Sequence, residues 1–232
     1  IDSKRIQYFN IGENNWREAD EWPPASVETQ SYYLSSNNKL SKNSSDQSSV
    51  SNYKYDPSNP ITITEGTNVW QRSAEMRDRS ILLERDDVIT FETEELNTDT
   101  EITGNIILEL FASSSAIDTD FTAAIVDVYP DGYSLLIQEG ILRASHRNKN
   151  EKPSHINPHE IYQFDIDLWA TSYVIPKGHK LRLEVSSSNF PRFARNLNNG
   201  EPLGLSNDIV IAEQKIYYGK EYPSKILLPI NK

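Results

Sequence analysis

Hydrolysis by a serine needs three groups close together: a hydroxyl, an imidazole to take its proton and a carboxylate to hold that imidazole. The chain supplies four histidines, His146, His155, His159 and His179, and two serines in a Gly-x-Ser setting, Ser134 and Ser206. Neither serine sits on a nucleophile elbow. The sharp strand-to-helix turn of an α/β-hydrolase needs a second glycine two places further on, and here Leu136 and Asp208 stand there. No sequence feature ties a particular Ser to a particular His, so no catalytic residue is assigned.

Metal chemistry fares no better. His155 and His159 are four apart, the spacing that puts two imidazoles on one helix face, but Pro158 lies between them and breaks that helix. Both read as exposed loop histidines. His179 falls in Pro176-Lys177-Gly178-His179, a turn entering a strand, and reads as structural. Asp118, Asp120, Asp127 and Asp131 could offer hard oxygen ligands to calcium. The reading preferred here is that they cap turns and pair with arginine or backbone donors. With zero Cys there is no thiolate, zinc-cysteine site or disulfide. Neither metal nor cofactor is assigned. The aromatic pairs Trp16 and Trp22, Tyr32 and Tyr33, and Tyr217 and Tyr218 could form a sugar-stacking platform, although core or interface roles are commoner for such rings.

The elements that must position these residues read as strands. Leu181, Leu183 and Val185 alternate with Arg182, Glu184 and Ser186, which predicts one apolar and one wet face. Phe164, Ile166 and Leu168 alternate with Asp165 and Asp167, and Ile106, Leu108 and Leu110 flank Glu109 in the same way. Further strands are expected over 5–11, 30–34, 81–84, 88–92, 121–128, 135–144, 209–218 and 225–230, bounded mostly by Gly, Pro, Asn or Asp. One weak helical candidate covers Val69 to Arg79. Two polar stretches, 35–51 and 146–159, read as loops. Many short strands and turns such as Tyr129-Pro130-Asp131-Gly132 point to an all-β sandwich or jelly roll.

One sandwich domain accounts for all of 1–232, because single all-β domains run to about 200–250 residues. With 37% hydrophobic and 25% charged residues the composition is that of a globule. A net charge of −11 argues against nucleic acid as a partner, since binding phosphates takes clustered Lys and Arg. No apolar run approaches the length of about 18 residues that a membrane span requires. The expected location is the cytoplasm. The chain opens Ile1-Asp2-Ser3 and enters a strand pattern almost at once, as a piece of a longer chain would.

Several blocks together resemble a known family. They are Tyr8-Phe9-Asn10-Ile11-Gly12 with Asn15-Trp16-Arg17 and Trp22-Pro23-Pro24; Tyr55-Asp56-Pro57; Asp118-Thr119-Asp120-Phe121 with Asp127-Val128-Tyr129-Pro130-Asp131-Gly132 and Glu139-Gly140-Ile141-Leu142-Arg143. Lys177-Gly178-His179-Lys180-Leu181-Arg182 follows, then Ser186-Ser187-Ser188-Asn189-Phe190-Pro191-Arg192-Phe193 with Asn196, and finally Pro223-Ser224-Lys225-Ile226-Leu227-Leu228-Pro229. These blocks resemble the C-terminal, non-catalytic domain of the X-Pro dipeptidyl-peptidase, cocaine esterase and α-amino-acid ester hydrolase group. Ser73-Ala74-Glu75-Met76-Arg77-Asp78 and Tyr217-Tyr218-Gly219 follow the family pattern only loosely.

The resemblance implies a galactose-binding-like jelly roll that packs on an α/β-hydrolase domain of the same parent chain, with homo-oligomer contacts as an additional role. That catalytic domain would lie upstream, and no triad residue matches any position here. Opposite charges in the two most specific blocks suggest a network of Asp118, Asp120, Arg143 and Arg182. The competing reading is a carbohydrate-binding, lectin-like module.

Overall fold

Ile106, Leu108 and Leu110 are all fully buried, and they mark the seam about which the protein is built. The computed structural model describes residues 6–62 and 78–232. Thirteen strands lie among the described residues: β1 (Ile6–Asn10), β2 (Asn15–Ala19), β3 (Val27–Ser35), β4 (Lys39–Ser41), β5 (Ser49–Tyr55), β6 (Ile89–Glu92), β7 (Thr100–Ser114), β8 (Asp120–Val128), β9 (Ser134–Arg143), β10 (Tyr162–Ile175), β11 (Lys180–Ser186), β12 (Ala212–Tyr218) and β13 (Lys225–Asn231). The fold is an all-β jelly-roll sandwich. No helix among the described residues is long and apolar enough to cross a membrane.

One layer runs β5, β12, β7, β13, β3, with β10 paired along the other edge of β7. The second runs β6, β11, β8, β9. They are joined where β4, paired antiparallel to β3, meets β6 in parallel at Lys39 and Glu92. The layers face each other through aromatic contacts: Phe121 of β8 meets Phe164 of β10 at 4.8 Å, and Phe91 of β6 meets Tyr218 of β12 at 5.3 Å. On the other side the sandwich is closed by contact alone. A Cβ at Gly140 of β9 would stand 2.1 Å from the Asp167 carbonyl oxygen of β10, so only glycine lets these strands approach.

The two ends of the sandwich differ. The end at which β8 begins and β9 finishes is formed by residues 115–119, 144–161 and 187–211. The opposite end carries the turns at 97–99, 129–133 and 176–179.

Three expectations are corrected. Residues Ile81 to Glu84 are not a strand but part of a 3-10 helix, Arg79–Glu84, started by Asp78 accepting from the Ser80 N–H at 2.9 Å. Of the helical candidate Val69 to Arg79, residues 69–77 lie outside the described residues. The stretch 35–51 holds β4 and the start of β5, because Leu40, 4% exposed, pairs with buried Leu34. Finally, the wet face of β11 is not wet: Arg182, Glu184 and Ser186 are 3–4% exposed. The segment carrying the 3-10 helix covers them, with Arg79 on Glu184 and the Ser186 hydroxyl donating to the Asp87 carbonyl at 2.7 Å.

Candidate functional site

Three polar clusters are buried, and the residues singled out in the sequence fall among them. At the β8 start, Arg143 donates through Nε to Asp120 at 2.9 Å and lies 3.9 Å from Asp118. Asn196 Nδ2 reaches across from the 187–211 segment to both carboxylates, at 3.0 and 3.2 Å. The Ser145 N–H donates to Asp118 at 2.9 Å. Burial pushes the Asp120 pKa up against the pull of Arg143, while Asp120 raises that of the guanidinium. Arg182 does not join this network. It donates to Glu92 at 2.7 Å and to the Ser134 hydroxyl at 3.1 Å on the outer face of the second layer.

That outer face is the second cluster. Arg79 grips one oxygen of Glu184 through Nε and Nη2, at 3.0 and 2.7 Å, and the other oxygen, Oε1, lies 3.8 Å from Arg182 Nη1 and has no hydrogen-bond partner among the described residues. Asn189 donates to Glu139 at 2.7 Å, and Arg192 pairs with the same carboxylate. The sequence reading missed Arg79, Glu184 and Glu139 as interior charges, because alternation marks a face as polar but not as covered.

The third cluster lies at the opposite end. Asp127, fully buried, sits 2.7 Å from His179 Nδ1 and accepts from the Tyr173 hydroxyl at 2.9 Å. Tyr129 packs on the imidazole at 4.4 Å between ring centres. Asp131 caps its turn by accepting from the Tyr133 N–H at 3.1 Å. The four aspartates therefore do not converge. No group of three or more metal-ligating side chains occurs among the described residues.

The halves of a triad are likewise apart. A Ser–His contact exists between Ser145 and His146, at 3.1 Å, and an Asp–His contact between Asp127 and His179. They belong to opposite ends of β8, more than about 20 Å apart at the usual strand rise of about 3.3 Å per residue. Ser134 is locked between Arg182 and the Gly132 carbonyl, and Ser206 accepts from Asn199 and the Asp208 N–H. His155 Nε2 lies 3.1 Å from the Gly200 carbonyl oxygen, and His159 is exposed. Ser186, Ser187, Ser188 and Asn189 bond partners far away in the sequence, Asp87, Tyr53, Ile61 and Glu139, and not their neighbours.

The aromatic pairs form no shared platform. Trp16 packs on Phe9 and Trp22 on Tyr8 in the β1–β2 hairpin, Tyr32 and Tyr218 are buried, and Tyr217 packs on Tyr222. A depression of about 860 Å³ between the β5 edge and the 3-10 helix carries both signs of charge, with Lys54, Arg85 and Lys215 facing Asp56, Asp86 and Glu213.

Comparison with known proteins gives this arrangement a context. The X-Pro dipeptidyl-peptidase C-terminal non-catalytic domain profile matches residues 2–227. Cocaine esterase of Rhodococcus sp. (strain MB1 Bresler) is 36% identical over 240 residues, covering 98% of this chain and 42% of the esterase. The structure superposes on an aminopeptidase from a marine sediment Thaumarchaeota archaeon with a TM-score of 0.90 and 25% identity, over 100% of this chain and 41% of that one. An α-amino acid ester hydrolase gives a TM-score of 0.88 and 27% identity, over 99% and 41%. The chain thus spans less than half the length of each of these relatives. With a profile matching nearly end to end, this chain belongs to the X-Pro dipeptidyl-peptidase C-terminal non-catalytic domain family.

Proposed function

We propose that this sandwich is the accessory C-terminal domain of a longer serine hydrolase that cleaves an ester or amide bond. It buttresses the catalytic domain, helps to wall its cleft and contributes contacts between copies. The observation that carries this is the separation of Ser145–His146 from Asp127–His179: these pieces of a triad lie at opposite ends of one strand, and nothing among the described residues joins them. Membership of a non-catalytic family and the ester and amide hydrolases among the relatives support it. The galactose-binding-like label and a cytoplasmic location belong to the same proposal, the second supported by the Cys-free composition and open to cell fractionation.

The test compares this chain with the full-length gene product on Ala-Pro-p-nitroanilide and p-nitrophenyl acetate, with fluorophosphonate labelling of both. Labelling and turnover are expected from the full-length protein alone. A label on a serine of the 232-residue chain overturns the proposal. The lectin-like alternative has less support, since its aromatics lie on separate elements, and calorimetric binding of a common sugar would revive it.

A further inference from the structure

Apolar exposure is concentrated at one end of this sandwich. Of fourteen large apolar side chains left open among the described residues, seven lie at the β8-start end: Ile117, Phe190 and five within 203–211, with Leu205 the most open at 77%. The turns at 97–99, 129–133 and 176–179 on the opposite end hold none. The others are spread over the β1–β2 hairpin and Ile11, β5, the 3-10 helix and Trp169 of β10.

The 197–211 segment is built to present these side chains. Asn198, 1% exposed, turns inward and donates to the Val210 carbonyl at 2.7 Å, and the Val210 N–H returns a bond to the Leu197 carbonyl at 3.0 Å. Asn199 donates to the Asp208 carbonyl at 2.7 Å, and the Gly200 carbonyl meets His155. Asn198 and Asn199 thus tie the segment to itself, and its leucine, isoleucine and valine side chains stand open beside exposed Glu201, Asn207 and Asp208. Beneath it lie two adjoining depressions of about 330 and 260 Å³ that share Arg143, Ala194 and Leu203. Arg143, Arg147, Arg192 and Arg195 stand around this end of a chain whose net charge is −11. An apolar patch of this kind on a soluble domain marks an interaction surface.

We infer that this end, the 203–211 ridge with Ile117, Phe190 and the Arg143 groove, is the face on which the catalytic hydrolase domain of the same parent chain docks. The occupant follows from length: more than half of each relative lies outside the stretch this chain matches, 42% of the esterase and 41% of the aminopeptidase being covered. A partner of that size presenting an apolar face fits the ridge, the arginines around it being already bonded within this chain, and intrachain domain interfaces commonly bury about 600–1,500 Å². The inference rests on the proposed function above and adds which surface is used.

Hydroxyl-radical footprinting of the full-length gene product tests it. With each rate divided by the intrinsic reactivity of its side-chain type, Leu203, Leu205 and Val210 are expected to be several-fold more protected than Trp16 and Trp169, which stay open, and the rates are expected not to change with protein concentration. Leu205→Asp is expected to raise the reactivity of Leu203 and Val210, whereas Trp169→Ser leaves it unchanged. Leu205 and Val210 no more protected than Trp16 after that normalisation overturns the inference, as does protection that appears only at high concentration, which would assign the face to a second copy. A full-length protein that takes no fluorophosphonate label sinks the hydrolase reading itself, and the docking face with it. Labelling with an unprotected ridge overturns only the face.

Discussion

Asp120 and Asp78 carry the same charge in opposite circumstances. Burial holds the Asp120 pKa above its ordinary value even with Arg143 beside it, so its ionised form costs stability at neutral pH, and that cost is relieved as pH falls through the raised value. Removing the counter-ion is therefore worse than removing the charge. Arg143→Met, which strands a buried carboxylate, is expected to lose about 2–4 kcal/mol at neutral pH, Arg143 being partly exposed. Asp120→Asn is expected to lose clearly less, and in acid the deficit of the Arg143 variant narrows. Urea unfolding at neutral and acidic pH checks the order, and a larger loss in Asp120→Asn would refute it. Asp78 runs the other way. The Ser80 hydroxyl and N–H hold its pKa below 3.8, so its contribution is present above that value and disappears as pH falls through the lowered one. Asp78→Ala should cost no more than about 1 kcal/mol at pH 7, because the group is exposed. The gap to the parent protein should close below the ordinary carboxylate range, as acid titration followed by circular dichroism would show.

At the scale of the elements, two small residues decide how strands meet. Gly140 lets β9 lie against β10, and Gly140→Ala forces a methyl group to within 2.1 Å of the Asp167 carbonyl oxygen. The strands must part, at an expected cost of about 2–3 kcal/mol in chemical denaturation. Ser224, fully buried, sits where β12 hands over to β13 on the edge of β7. It accepts from the Phe111 N–H at 2.9 Å and donates to the Tyr217 carbonyl at 2.6 Å, replacing the ladder bonds missing at the gap. Ser224→Ala should cost about 1–3 kcal/mol, since it orphans that N–H. Alternation made most strands legible: Leu181, Leu183 and Val185, and Phe164, Ile166 and Leu168, face the core as their period of two requires. It failed at Ile81 to Glu84, where Ile81 and Leu83 point outward and a capping aspartate bends the chain into a 3-10 turn. It failed also to reveal β2, five residues held to β1 by pairing across a tight turn, of which Ala19 alone is buried. The site was legible as residues and not as partnerships. Asp118, Asp120 and Arg143 do meet, but Arg182 pairs with Val126, six residues further along β8, and the charges of β11 read as solvated until the segment that covers them is in place.

The whole molecule sets a net acidic charge against one apolar end. A net charge of −11 keeps copies apart in dilute buffer, and salt weakens that repulsion over about 8 Å at physiological ionic strength while leaving apolar attraction intact or stronger. The 232-residue chain by itself is thus expected to be monomeric at low ionic strength and to self-associate as sodium sulfate is added. Sedimentation velocity reads this directly. The position of the attraction gives the measurement its value: Leu205→Asp places a charge on the most open side chain of the ridge and should abolish the salt-induced species, whereas Trp16→Ser, at a residue nearly as exposed at 72%, should not. If instead the tryptophan variant is the one that stays monomeric, the sticky surface is the β1–β2 hairpin. The segment at 197–211 would then need a different partner to explain why Leu203, Leu205, Ile209, Val210 and Ile211 all stand open.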